Sequence, residues 1–185
     1  WIPQVLNISS WQSSANQISY TNPSTTQRTT ISRVDARAFW LPGIPAHYGP
    51  LPLASFPDSC HNNTQNNTHN NNYNFTGHAV LIERTAACAF ATQIYNAQRL
   101  GATLALVYNA PASSGLGHVT DMYCETSQQC DLSISIPASM ITHDHGIVLL
   151  DLLQHQQLVQ LEFESITTSG TQFGINVFAE FVQIG

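Results

Sequence analysis

The residues best suited to chemistry in this sequence are its histidines and cysteines. His143-Asp144-His145 places two imidazoles beside a carboxylate, a set that could ligate a metal ion. Ser59-Cys60-His61 places a thiol beside an imidazole, as a cysteine nucleophile requires. However, an acidic residue in the first turn of a helix explains Asp144 equally well, and adjacent loop residues rarely point the same way. We therefore expect no catalytic residue and no metal site in either segment.

Short motifs of the common enzyme classes are also missing. The sequence contains no GxSxG, HExxH, GxxxxGK[ST] or GxGxxG pattern. Without an activated nucleophile, an open metal site or a cradle for phosphates, the residues offer no cofactor site either. The sequence therefore predicts a non-catalytic chain that uses no cofactor.

The four cysteines suit structural disulfides better than zinc. Cys124 and Cys130 are six residues apart in a polar segment, where a bond closes a small loop without disturbing regular structure. That pairing leaves Cys60 with Cys88. Zinc is the alternative, but the sequence has no CxxC pair and its histidines lack finger spacing. Disulfides predict an oxidising compartment.

Several asparagines lie in glycosylation sequons, which points to the same compartment. Asn7, Asn62, Asn66 and Asn74 each fit the N-x-S/T pattern. Sequons arise by chance in Asn-rich sequence, but four together favour the secretory pathway. We expect the chain in the lumen of the endosome, vacuole or Golgi, or outside the cell.

The charge balance excludes one class of partner. Five arginines, no lysine and eleven acidic residues give a formal net charge of -6, so no basic stripe can neutralise phosphates. Nucleic acid is therefore not an expected partner. The longest apolar stretch, residues 146–153, is far shorter than the roughly 20 residues that cross a bilayer. Any membrane attachment is expected through a segment outside these 185 residues.

Hydrophobic patterning indicates effectively one domain with a polar arm. Residues 1–30 are polar and predict an N-terminal arm with one strand, while residues 31–185 predict the main body. Within the body, residues 61–76 form an Asn-rich surface loop, because they contain almost nothing that can be buried.

A strand, a helix and a second strand are predicted in the middle of the chain. Ala79–Ile82 is a continuous apolar run, typical of a strand covered on both faces. Apolar residues then recur at helical spacing over Cys88–Leu100, where Gly101 can end the helix. Thr103–Tyr108 is a second apolar run, so the unit has the length of a parallel crossover.

The flanking segments predict further elements of the same sheet. Alternation predicts a half-buried strand whose polar face carries Arg33, Asp35 and Arg37. Prolines predict an irregular connection up to Cys60, and two later segments repeat the strand and helix pattern. The predicted elements are a strand at Ile31–Trp40, a strand at Ile134–Ile141 near a sheet edge, a helix at His145–Gln154 capped by Thr142 or Asp144, and a closing hairpin over residues 159–181.

The order of these elements resembles the protease-associated domain. In that family a strand ends in Arg, Cys-x-Phe opens the helix, Asn-Ala-x-x-x-Gly-Ala ends it, and an apolar strand closes on Tyr-Asn. The matching segments are His78–Arg84, Cys88-Ala-Phe90, Ile94–Ala102, Leu104–Asn109 and Ile136–Ile141, within a resemblance over residues 34–182. The family usually has Arg-Gly-x-Cys in its turn, whereas this chain has Arg84-Thr-Ala-Ala-Cys88, with no glycine and one extra residue.

The resemblance implies an α+β fold, a small closed or nearly closed β-sheet or barrel flanked by two helices. It further implies a non-catalytic module that binds a protein or peptide ligand. Such modules occur in membrane-anchored RING-type ubiquitin ligases and in vacuolar sorting receptors, where they recruit substrate or cargo. We expect this host class, since the chain looks like a luminal ectodomain. The alternative is an accessory domain of a secreted or vacuolar peptidase, either a subtilase or an aminopeptidase.

Strand ends and family resemblance indicate the same ligand site. The turn after the first crossover strand and the loop over residues 109–130 both leave the carboxyl ends of parallel strands, where ligands tend to bind. Arg84 would donate to a peptide carboxylate or backbone carbonyl. The alternative is an Arg84 that pairs internally with Glu83 or a loop carbonyl. The predicted ligand-binding residues are Arg84, Thr85, Ala86, Ala87, Phe90 and Asn109.

Overall fold

The structure, a computed structural model, describes residues 14–36, 40–61, 73–111, 122–155 and 157–167. Within these ranges the chain forms eight strands and three helices. The strands are β1 (Ser14–Thr21), β2 (Arg28–Ser32), β3 (Val34–Asp35), β4 (His47–Ser55), β5 (Ala79–Glu83), β6 (Leu104–Tyr108), β7 (Ala138–Ile141) and β8 (Gln160–Thr167). The helices are α1 (Phe90–Arg99), α2 (Ser127–Cys130) and α3 (His143–Gln154).

The predicted crossover unit is confirmed. β5 and β6 are parallel, with Ala79 opposite Leu104 and Glu83 opposite Tyr108, and α1 connects them. Gly101 ends the helical segment at a φ of +91°, a conformation that L side chains rarely adopt. A Cβ at this position would also lie 2.8 Å from the Thr76 hydroxyl oxygen, so glycine is required on both grounds.

The sheet is mixed and open. Its strands are hydrogen-bonded in the order β2-β1-β8-β4-β5-β6-β7-β3, and β4 to β7 run parallel. β2 and β3 lie at opposite ends of this order, although only Arg33 separates them along the chain. The α+β class is therefore confirmed. Of the expected closed or nearly closed sheet, closure is not found, because β3 is two residues long and ends the ladder on β7 without pairing with β2.

In the part of the chain that the structure describes, three helices accompany the sheet rather than the expected two. The additional helix, α2, is a single turn inside a segment that was expected to be a simple loop. It forms because Thr126 caps it: the Thr126 hydroxyl accepts the Gln129 backbone N–H at 3.3 Å. Gln129 of this turn forms part of one wall of the candidate site.

The predicted strand over Ile31–Trp40 is broken at Arg33, where the chain leaves β2 and enters β3. Alternation placed Arg33 on the exposed face, but its side chain is fully buried. Burial is possible because the guanidinium donates to the Asp35 carboxylate and to the Gln17 carbonyl, 3.1 Å away, and lies over the Phe163 ring. Residues 37–39 lie outside the described residues.

The Pro-rich connection contains a strand that the sequence did not predict. β4 pairs antiparallel with β8 through Tyr48 and Leu51, and parallel with β5 from Leu53 onward. Pro50 is tolerated because the register shifts between Tyr48 and Leu51, a bulge that interrupts the ladder, whereas Pro52 lies in register opposite Gln160. β4 thereby joins the two halves of the sheet.

The later elements are close to their predicted positions. β7 is shorter than the predicted Ile134–Ile141 strand, because Pro137 lacks the N–H that would continue the ladder. α3 begins at His143, and of the two predicted caps it is the Thr142 hydroxyl that accepts the His145 N–H. The second strand of the predicted closing hairpin lies outside the described residues.

The core lies on both faces of the sheet. Successive residues of β5 point to opposite sides, so Leu81 joins a cluster with Leu149 of α3, whereas Ile82 joins a cluster with Ile94 of α1. All four side chains are at most 1% exposed, and burying each stabilises the fold by roughly 1.5–3 kcal/mol. In the described part of the chain, no helix has the length and apolarity needed to cross a bilayer.

Candidate functional site

A pocket of about 280 Å³ opens where β5 and β6 end. The two strands are parallel, so their carboxyl ends lie at one edge, and the Arg84 N–H bonds the Tyr108 carbonyl at 2.8 Å. The turn after β5 and the segment before α2 form its two walls. The lining residues are Arg84, Thr85, Ala86, Cys88, Ala89, Phe90, Tyr123, Glu125 and Gln129.

Arg84 is held at the edge of this pocket by two neighbours. Its Nη1 donates to the Asn109 Oδ1 atom at 3.2 Å, and its Cζ atom lies 5.0 Å from the centroid of the Phe90 ring. The side chain is half-buried, so the guanidinium is oriented by the protein while it still faces the pocket. A guanidinium presents five N–H donors in a planar fork, which suits carboxylate and carbonyl oxygens.

The first turn of α1 adds positive potential to the same wall. The N-cap residue is Ala89, which has no side chain to accept the free N–H groups, and the first turn carries no acidic residue. The positive end of the helix dipole therefore lies beside Arg84. Together these groups favour an oxygen-rich or anionic part of a ligand.

The opposite wall comes from residues 123–129. Tyr123 is 45% exposed and Glu125 is exposed, while Met122 before them is fully buried and anchors the segment. The Glu125 N–H donates to the Gln129 Oε1 atom at 2.7 Å. The sequence indicated this wall only as part of the loop over residues 109–130.

Both predicted disulfides are confirmed, and each fixes one wall. Cys60 bonds Cys88 with a Cα to Cα distance of 5.7 Å, and Cys124 bonds Cys130 at 5.2 Å. The first ties the turn after β5 to the segment that follows β4. The second closes residues 124–130 into a small ring directly after Tyr123, so neither wall relies on local hydrogen bonds alone.

The predicted ligand-binding residues fall into two groups. Thr85, Ala86 and Phe90 line the pocket with Arg84, and Ala87 is exposed in the same turn, its N–H donating to the Thr85 hydroxyl at 3.1 Å. Asn109 is different, because it is fully buried and does not line the pocket. Its Oδ1 atom accepts from Arg84, so its place is behind the guanidinium rather than beside a ligand.

A tyrosine and a glutamate join the two strand ends next to the pocket. The Tyr108 hydroxyl donates to the Glu83 carboxylate at 3.3 Å, so Glu83 has a partner other than Arg84. Burial, and secondarily the negative charge of Glu83, raise the pKa of Tyr108 to about 12. α3 packs directly against this ring, since a Cβ at Gly146 would lie 2.2 Å from it.

The histidines considered as metal ligands make separate contacts. The His143 Nδ1 atom lies 3.0 Å from the Asn109 carbonyl, whereas His145 Nδ1 lies 2.9 Å from the Thr142 hydroxyl. Across the described ranges, no three His, Cys, Asp or Glu side chains come together as metal ligands would. Cys60 of the other candidate segment is in a disulfide and so is not a thiol.

One of the four predicted glycosylation sites lies in the described residues. Asn74 is exposed, and its Oδ1 atom accepts the Thr76 hydroxyl at 2.7 Å and the Thr76 N–H at 3.1 Å. It precedes β5, so it lies at the amino end of the strand whose carboxyl end borders the pocket. Asn7, Asn62 and Asn66 lie outside the described residues.

Residues 48–149 match the PA domain family, which is more than half of the chain, so the protein belongs to this family. Two solved structures share the fold: an aminopeptidase from Aneurinibacillus sp. strain AM-1 (14% identity, TM-score 0.55) and a zinc aminopeptidase from Bacillus subtilis (16%, 0.51). The matches cover 84% and 83% of this chain but 31% of each aminopeptidase. No curated protein sequence matches significantly.

Family membership bears on chemistry and location. PA domains are generally non-catalytic accessory modules, which agrees with a site built from a cation, amides and an aromatic face rather than a nucleophile and base. The PA domain and the two disulfides indicate an extracellular or secretory-lumen location. The chain spans about a third of the length of the aminopeptidases whose fold it shares.

Proposed function

We propose that the chain is a non-catalytic module that binds a protein or peptide ligand in the pocket at the ends of β5 and β6. The observation that carries the proposal is Arg84, which Asn109 and Phe90 hold in place at the edge of that pocket. An oriented guanidinium loses little conformational freedom when it binds a ligand. Structural arginines can show the same contacts, so the decisive measurement is binding.

In this site the ligand's polar backbone meets donors on one wall and an aromatic ring on the other. Arg84 donates to a carboxylate or a backbone carbonyl, and the uncapped N–H groups of α1 lie beside it. Ala86 and Ala87 are exposed and small, so a peptide backbone can approach the turn closely. Tyr123 offers a flat, partly exposed surface for apolar contact.

Two kinds of host protein fit such a module. In the first, a membrane-anchored RING-type ubiquitin ligase or a vacuolar sorting receptor, the module recruits substrate or cargo in the lumen. In the second, a secreted or vacuolar peptidase, it is an accessory domain beside the catalytic domain. The shared fold with two aminopeptidases favours the second host as much as the family resemblance favours the first. A hydrophobic span followed by a Cys/His-rich segment would identify the ligase, and a catalytic domain the peptidase.

The binding proposal is tested with peptides selected from a displayed random library by the 185-residue chain. Arg84→Ala should weaken the selected peptides about tenfold or more, because a charged hydrogen bond contributes about 1.5–3 kcal/mol. Arg99→Ala is the matched control, since Arg99 also lies over an aromatic ring, that of Tyr95, but outside the pocket. Equal affinity of the parent and Arg84→Ala for every selected peptide would place the site elsewhere.

A further inference from the structure

The two walls of the pocket differ in charge. Of the nine lining residues, two are charged: Arg84 on the wall that follows β5, and Glu125 on the wall closed by the Cys124–Cys130 disulfide. The uncapped end of α1 adds to the positive side. The pocket therefore has a positive wall and a negative wall.

Glu125 is held in this position by its backbone. Its N–H is bonded to the Gln129 side chain at 2.7 Å, the preceding Cys124 is in a disulfide, and the following Thr126 caps α2. The carboxylate itself is exposed to solvent. A fixed backbone and a solvated carboxylate make Glu125 available to a ligand without any loss of stability in the folded chain.

The geometry of an extended peptide matches this arrangement. Successive side chains of an extended chain point to opposite sides, so a peptide lying between two walls directs neighbouring residues to different walls. At about 280 Å³ the pocket is at the small end of ligand sites, which run to roughly 300–1,000 Å³. It therefore accommodates a few side chains of a peptide rather than a large surface.

We infer that Glu125 determines specificity, and that the pocket prefers peptides in which an acidic and a basic residue are adjacent. The acidic side chain meets Arg84 and the basic side chain meets Glu125, beside the ring of Tyr123. This inference rests on the proposed function, because it assigns the ligand class of the same site. It adds a residue that the strand ends indicated only as part of the loop over residues 109–130.

Four capped tetrapeptides test the inference: Gly-Asp-Arg-Gly, Gly-Asp-Gln-Gly, Gly-Asn-Arg-Gly and Gly-Asn-Gln-Gly. Their affinities for the 185-residue chain are measured by NMR titration. Gly-Asp-Arg-Gly should bind most tightly. Glu125→Gln should weaken the two Arg peptides about two- to fivefold, the range of an exposed ion pair, and leave Gly-Asp-Gln-Gly unchanged. Glu125→Arg should reverse the preference, favouring Gly-Asp-Gln-Gly over Gly-Asp-Arg-Gly.

Asp131→Asn is the matched control for charge. It removes one exposed carboxylate from the same segment, outside the pocket, and so reports the effect of the overall charge of -6 on basic peptides. Loss of Arg-peptide affinity in Asp131→Asn equal to that in Glu125→Gln would overturn the inference. So would an equal loss for Gly-Asp-Gln-Gly, or no change in Glu125→Gln.

The failure of this inference is distinguishable from failure of the proposed function. If Arg84→Ala weakens the Asp peptides while Glu125→Gln changes nothing, the site is correct and the role of Glu125 is wrong. If none of the four peptides binds while Arg84→Ala still weakens the library-selected peptides, the inference is wrong and the proposed function stands. If Arg84→Ala changes the affinity of neither the four peptides nor the library-selected ones, the proposed function itself is contradicted and the inference falls with it.

Discussion

Two arginines of this chain lie in contrasting surroundings. Arg33 links β2 to β3 along the chain, and its side chain is fully buried and donates to Asp35, which also accepts from Asn16 and Ser139. Arg84 is half-buried at a pocket and donates to a neutral amide, that of Asn109. Arg33 is paired with a carboxylate in the interior, whereas Arg84 lines a pocket that a ligand can enter. The contacts of each arginine therefore indicate its role better than its degree of burial does.

The electrostatic surroundings of Arg33 and Arg84 differ as well. Burial lowers the pKa of Arg33 from its usual value, and the Asp35 charge and hydrogen bond oppose that shift. The ion pair thus compensates a cost that burial itself creates, as buried pairs commonly do. The Arg84 guanidinium instead donates to an uncharged amide and lies over the face of Phe90.

Arg33→Ala should produce the largest effect. It leaves the mostly buried Asp35 carboxylate without its cation, which should lower the free energy of unfolding by about 3 kcal/mol. Urea denaturation measures this loss. The double variant Arg33→Met with Asp35→Leu should recover most of it, since no charge is then left in the interior. A loss below about 1 kcal/mol in Arg33→Ala would show that Asp35 is solvated and that the two sites are less different than they look.

Asn109→Asp would make the surroundings of Arg84 resemble those of Arg33. A carboxylate should bind the guanidinium about twice as strongly as the amide does, and so compete with an acidic ligand. Peptide affinity should fall about fivefold, which corresponds to about 1 kcal/mol, with a smaller change in stability than in Arg33→Ala. Unchanged or increased affinity would show that the neutrality of Asn109 is irrelevant to binding.

Tyr108→Phe should have the smallest effect, which is recognised by a changed pH dependence of the free energy of unfolding above about pH 10. The folded state raises the pKa of Tyr108 to about 12, whereas an unfolded tyrosine ionises near 10. The stability that this neutral hydroxyl provides is therefore complete below about pH 10 and lost as pH rises towards 12. The free energy of unfolding, measured from pH 8 to 11, should decline less steeply with pH in Tyr108→Phe than in the parent chain. Parallel declines would show that Tyr108 is not protected next to the pocket.

The sequence predicted the parts of the fold whose patterns are local. The run Ala79–Ile82 is apolar at every position because both faces of β5 are covered, and the cysteine spacing indicated both disulfides. β4 was missed because prolines normally exclude a strand, and the bulge that admits Pro50 depends on β8, which is distant in sequence. Arg33 was placed on the wrong face for the same reason, since its partners Gln17 and Phe163 lie far along the chain.

The candidate site also has one part that a local sequence pattern predicted and one part that depends on contacts between distant segments. Its first wall follows the end of a predicted strand, so the sequence predicted the position of Arg84. The second wall was indicated only as part of a long loop, because a capped single turn and a contact between distant segments decide which residues face the pocket. Neither the exposure of Glu125 nor the burial of Asn109 has a signature in the local pattern.

The pairing of β1 with β8 has a consequence for how the chain folds. Ser14 lies opposite Thr167, so residues more than 150 positions apart share a ladder. Contacts of such long sequence separation form slowly, because a large loop must close before they contribute. A chain synthesised from its N-terminus must also hold β1 unpaired on that side until β8 has emerged. The β5–α1–β6 unit needs no partner that is distant in sequence. The edge of the pocket at its strand ends can therefore form before β8 pairs with β1 on the other side of the sheet.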